Sequence, residues 1–137
     1  MKAWALCFLV CYAGGCGVLT ELKGKPVDVT TAGIPVSVLA SEDISLFWKD
    51  RMAELHPFAG SARTQVVSLL NTMTFQETSN TTKRLVLAGI IGEEGAEPCV
   101  MIQFFAGGYM SCGNRMFVIG NKRLMEIISI LEASQGV

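Results

Sequence analysis

The sequence predicts an α+β domain: an antiparallel β-meander sheet of four to six strands, with one helix before it and one C-terminal helix packed on it. Two observations carry this. Between residues 64 and 120, four strand-like runs follow one another, joined by short polar or glycine-rich turns, as an antiparallel meander requires. On either side of them, residues 41–55 and 121–131 carry apolar residues at three- and four-residue spacing. A strand–helix–meander–helix order keeps the helices to one face or end of the sheet. The 137-residue chain, 50% hydrophobic, suits a single domain with a real core. Its net charge of −1, without a basic stripe, argues against nucleic acid as a partner.

The chain begins with Lys2, a positive start, followed by the unbroken apolar run Ala3–Tyr12 and the small residues Ala13, Gly14 and Gly15. This is the layout of an export signal, so residues 1–15 read as a signal peptide. Cys16 follows directly. Ala13-Gly14-Gly15-Cys16 resembles the lipobox of bacterial lipoproteins, with Ala13 where that family usually has Leu. The resemblance covers only the first 16 residues. It implies that residues 1–15 are removed and that the Cys16 thiol is acylated, so that the lipidated N-terminus holds the protein on a membrane of the cell envelope. Gly17 stands where the family's sorting rule places Asp for inner-membrane retention, which implies the periplasmic face of the outer membrane. Three readings compete: plain secretory cleavage after Gly15, an uncleaved span, or a buried element of a cytosolic protein. Against the span, Ala3–Leu19 is about 17 residues where roughly 20 are needed. Residues 16–26, broken by Gly17, Gly24 and Pro26, read as a tether, and residues 27–137 as the domain.

Pro26 to Ala40 reads as extended chain. Val27, Val29, Val36 and Val38 alternate with polar residues, and Gly33-Ile34-Pro35 interrupts them. Ser41 to Leu55 reads as the first helix. Ser41 caps it, Glu42 and Asp43 suit its N-terminal dipole, and Ile44, Phe47, Trp48 and Met52 share a face. Asp43, Asp50 and Glu54 then read as its wet face. Pro57 stops the helix, and His56, the one histidine, reads as a solvated helix-end residue.

The meander follows: Thr64 to Glu77, Thr82 to Ile91, Cys99 to Phe105, and Tyr109 to Gly120 with Gly113 as a bulge. Glu93, Glu94 and Glu97 lie in an acidic turn. Without the partner ligands of a calcium loop, this turn reads as solvated or partner-facing rather than metal-binding. Asn121 caps the last helix. Leu124, Ile127, Ile128 and Leu131 form its inner stripe, and Met125 and Ile130 widen that stripe. Either the sheet curls round this helix or another protein covers part of it, which makes Met125 and Ile130 candidate partner-binding residues.

Of the five cysteines, Cys7 and Cys11 fall in the signal and Cys16 at the lipidation site. Cys99 and Cys112 remain, a possible disulfide in a compartment that permits one, or two buried free thiols. A two-residue hairpin at Gly107-Gly108 would set Cys112 opposite Gln103 and Cys99 opposite Met116. The thiols would then sit roughly 13 Å apart along the ladder at ~3.3 Å per residue, beyond the ~7 Å reach of a bridge. Tight hairpin and disulfide exclude each other.

Chemistry-bearing motifs are missing. The chain has no glycine-rich phosphate loop, Cys-x-x-Cys pair, histidine-rich metal spacing or nucleophile elbow. No cofactor, no metal and no enzymatic activity are therefore expected. Carboxylate pairs assembled only by the fold leave no sequence signal. Asn80-Thr81-Thr82 is a glycosylation sequon that matters only in a eukaryote. The leading expectation is a lipid-anchored envelope interaction module that binds a protein partner, as an accessory subunit of a secretion, conjugation or pilus-type machine. The alternative is a periplasmic inhibitor, an immunity or exclusion protein that neutralises a toxin or enzyme, with the acidic turn as its plug.

Overall fold

A seven-stranded antiparallel sheet and four helices form the α+β structure, a computed structural model that describes residues 23–79, 84–93 and 99–135. The signal segment, Cys16, Glu94, Glu97 and the Asn80 sequon lie outside the described residues. In chain order the elements are α1 Val29–Ala32, α2 Val36–Ala40, β1 Leu46–Lys49, β2 Leu55–Pro57, α3 Gly60–Thr72, β3 Gln76–Glu77, β4 Val86–Gly92, β5 Met101–Phe105, β6 Tyr109–Cys112, β7 Arg115–Val118 and α4 Asn121–Gln135. The strands lie in the order β2-β1-β4-β5-β6-β7-β3. Helix α3, about 20 Å long at ~1.5 Å per residue, carries the chain from the β2 edge toward the β3 edge.

Four local expectations are corrected. Residues 26–40 form the short helices α1 and α2 instead of extended chain. Asp28 accepts a hydrogen bond from the Thr31 N–H at 2.8 Å, and Gly33 closes α1 in the left-handed region. Pro35 then precedes α2. Cap and stop residues outweigh the strand preference of valine here. Residues 41–55 are no helix: Ser41 ends α2, and the segment becomes the β1–β2 hairpin. Ile44, Phe47, Trp48 and Met52 fit a helical face by spacing, but Leu46 and Trp48 are the residues that bury. Over so short a run the two periods are ambiguous.

Residues 64–77, expected as a strand, belong mostly to α3. Its buried residues Ala62, Val66 and Leu70 recur every four positions, and Met73 and Phe75 enter the core just beyond it. Only Gln76 and Glu77 pair as strand, with Val118 and Phe117. Residues 109–120 split into β6 and β7. Gly113 has φ +63° and opens a two-residue turn joining Cys112 to Arg115, so it is a hairpin corner instead of a bulge.

The β5–β6 hairpin also differs by one residue from the tight form. Phe105 faces Tyr109 and Ile102 faces Cys112, which leaves the three-residue loop Ala106-Gly107-Gly108. Gly108 is required there. Its carbonyl accepts from the N–H groups of Ile119 and Gly120, and a Cβ at Gly108 would lie 2.7 Å from the backbone of residues 120–121. Cap assignment shifts too: the first bond of α4 runs from the Leu124 N–H to the Gly120 carbonyl, which puts Gly120 in the cap position expected of Asn121.

All four helices pack on one face of the sheet. Val29, Leu39, Leu70 and Leu124 share one core cluster with Trp48, Ile90, Ile102, Phe104, Met110 and Phe117. The expected stripe of α4, Leu124, Ile127, Ile128 and Leu131, is buried. Helix α3 lies beside it. Residues 23–26, expected as tether, run along the β3 edge. The Gly24 N–H donates to the Glu77 carbonyl at 2.7 Å, and Gln76 Nε2 donates to the Gly24 carbonyl at 2.9 Å.

Candidate functional site

Among the described expected contact residues, Met125 and Ile130 are brought into a common surface. They line an open groove of about 860 Å³ between α3 and α4. Helix α3 contributes Thr64, Ser68, Leu69 and Thr72, and α4 adds Ser129 between its two apolar residues. Small and apolar residues share the wall with Gln65, Lys122 and Glu126, and the small side chains let another backbone approach closely. Met125 is 44% exposed although it adjoins the buried stripe of its helix. At the mouth of the groove, Arg123 Nη1 lies 2.8 Å from Glu126 Oε1, one helical turn on. This exposed pair is worth little to stability.

Glu93 sits exposed just past the end of β4, away from the groove lining. Cys99 and Cys112 are both free thiols: Cys99 precedes β5, while Cys112 faces Ile102 across the ladder. Burial pushes the Cys112 thiol up, against the pull of Arg115, and so keeps it protonated and a poor nucleophile. His56 lies on the edge strand four strands from β6, about 19 Å at ~4.8 Å per strand. A Cys112–His56 pair is therefore out of reach.

A second constellation closes the β1–β2 hairpin. Asp50 Oδ1 accepts from the N–H groups of Met52 and Glu54, at 2.8 and 2.9 Å. Asp50 Oδ2 lies 2.7 Å from His56 Nε2. The His56 bond is the main cause holding the Asp50 carboxyl below its ordinary pKa, aided by the two backbone N–H groups. The His56 ring stacks on Trp48, centroids 4.7 Å apart. Trp48 Nε1 is a buried donor without an acceptor among the described residues. Asp50, Glu54 and His56 offer metal-ligand atoms within 4.8 Å of one another. Both Asp50 oxygens, however, are already engaged in closing the turn, and that is what the cluster accomplishes. A helical reading puts Asp50 and Glu54 on a wet face and His56 at the helix end, which hides their convergence; Asp50, whose side chain accepts from the Met52 N–H two residues on as in an Asx turn, is the available signal.

Arg63 is the other residue the sequence did not disclose. Its guanidinium donates to the carbonyls of Val38, Leu39, Ser41, Ile44 and Phe58. These bonds occupy all five of its N–H donors. The clamp satisfies the C-terminal carbonyls of α2 and ties the approach to β1 onto α3. Burial lowers its pKa, and nearby Glu42 opposes this; a guanidinium stays charged regardless. The cavity of about 560 Å³ beside it therefore has no spare donor from Arg63 to offer a ligand.

The chain matches no protein-family model, no curated protein and no solved structure. Among the described residues, no helix is long and apolar enough to cross a membrane.

Proposed function

We propose that this chain is a lipid-anchored interaction module of the cell envelope, an accessory subunit that works by holding a protein partner and not by catalysis. The observation that carries the reading is the α3/α4 groove. The last helix leaves Met125 exposed in this groove, next to the partly buried Ile130 and beside Thr64, Ser68 and Thr72 of α3. A partner helix laying its apolar face into such a groove is a standard recognition mode. The lipobox-like Ala13-Gly14-Gly15-Cys16 supports envelope anchoring through Cys16.

The test places a photo-reactive residue at Met125 of the full chain in a bacterium with a double envelope. The expected result is a cross-link to one envelope protein, lost on Ser68→Arg, at an exposed position in the groove, while the melting temperature holds. Intact mass is expected to lack residues 1–15 and to carry acyl chains, both abolished by Cys16→Ala. A one-to-one adduct with a toxin or hydrolase would transfer the reading to an inhibitor. A mass beginning at Met1, with no adduct, would overturn both.

A further inference from the structure

The helix-free face of the sheet is apolar where a solvated antiparallel face is ordinarily polar. Alternation places Phe47, Ile91, Met101, Phe105, Tyr109 and Val118 on it, opposite the core-facing Trp48, Ile90, Ile102 and Phe104. Met101 is 54% exposed, and the other five are half-buried. These residues form two apolar rows that flank a middle row. Lys49, Gly89, Gln103 and Ser111 follow one another across the paired strands of that row. No described helix covers any of it.

From this face we infer that a second copy of the same chain docks on it, sheet against sheet. Two features select that occupant. First, Lys49 is the one charged side chain that the paired strand residues contribute to the face, and Arg84 at its margin lies over the Tyr109 ring at 3.6 Å. Attraction to anionic lipid grows with the number of Lys and Arg residues at the surface, so a bilayer fits this face poorly. Second, Gln103 sits in the middle strand of the seven, between Gly89 and Ser111. An amide has both donor and acceptor, so two symmetry-related Gln103 side chains can satisfy each other on a two-fold axis. The sheet edges offer less: β2 is three residues long and ends in Pro57, and β3 is covered by residues 23–27. This inference is independent of the α3/α4 groove.

The experiment places a photo-reactive residue at Gln103 of the full chain, in the cell that makes it, with mixed isotope-labelled and unlabelled copies. The expected result is an adduct of twice the chain mass containing both isotopic forms, lost on Phe105→Asp with the melting temperature retained. If Phe105→Asp fails to fold, Met101→Lys, at a largely exposed site, is expected to lose the adduct in the same way. An adduct with lipid, an adduct with a different protein, or no adduct at Gln103 would each overturn the inference.

Discussion

Along β5, Ile102 and Phe104 are fully buried beneath the helices, while Met101, Gln103 and Phe105, their immediate neighbours in sequence, lie on the face with no described cover. One strand thus supplies two apolar surfaces of different standing. The covered surface is joined to all four helices in one cluster and holds the fold together. The opposite surface adds apolar area that this packing does not use. Burial, and not hydrophobicity, separates residues that stabilise the chain from residues free to make contacts.

The sharpest way to break this comparison is a matched pair on one strand. Phe104→Ala should destabilise by about 3–5 kcal/mol, the range for emptying a buried aromatic site. Phe105→Ala, one residue on, should cost less than about 1 kcal/mol. Urea unfolding midpoints of both variants check this. Next comes the covered layer's polar clamp. Arg63→Ala should cost about 2 kcal/mol, because the carbonyls of Val38, Leu39 and Ser41 lose their donors together. Arg63→Lys should recover little, since a point ammonium cannot span five carbonyls.

A smaller effect sits at the hairpin corner. Ala53 has φ +65°, the left-handed region that favours glycine. Ala53→Gly should therefore stabilise the chain by about 0.5–1 kcal/mol, as a rise in melting temperature. The smallest effect is a pH dependence. Because the folded Asp50 carboxyl titrates below its ordinary value, its contribution is present above about pH 4 and lost as pH falls through the folded value. Asp50→Asn should flatten that part of the acid limb in urea midpoints taken from neutral pH downward.

The C-terminal half was legible in the sequence because its signals are sustained. Leu124, Ile127, Ile128 and Leu131 hold one helical face over two turns, and the glycines at 107, 108 and 113 mark corners between long apolar runs. Residues 26–57 were not legible, since their elements are three to five residues long and are fixed from outside themselves. Asp50 folds its own side chain back to make the turn, and Arg63 reaches across from α3 to end α2. Such side-chain-to-backbone bonds leave no periodicity. In α3, Thr, Val and Leu satisfied both periods, and the four-residue series Ala62, Val66, Leu70 was the decisive one. The groove was consequently half visible: Met125 and Ile130 stood out on α4, while its α3 wall was hidden in a run read as strand.

The division of the sheet into a folding face and a docking face is tested most directly by the native mass of the full chain extracted in detergent, measured by sedimentation for the wild type and Phe105→Asp at matched melting temperature. The expected result is two chain masses for the wild type and one for the variant, with both cooperatively folded. A wild type that stays at one chain mass across the concentration range, or a Phe105→Asp variant that unfolds as Phe104→Ala does, would contradict it.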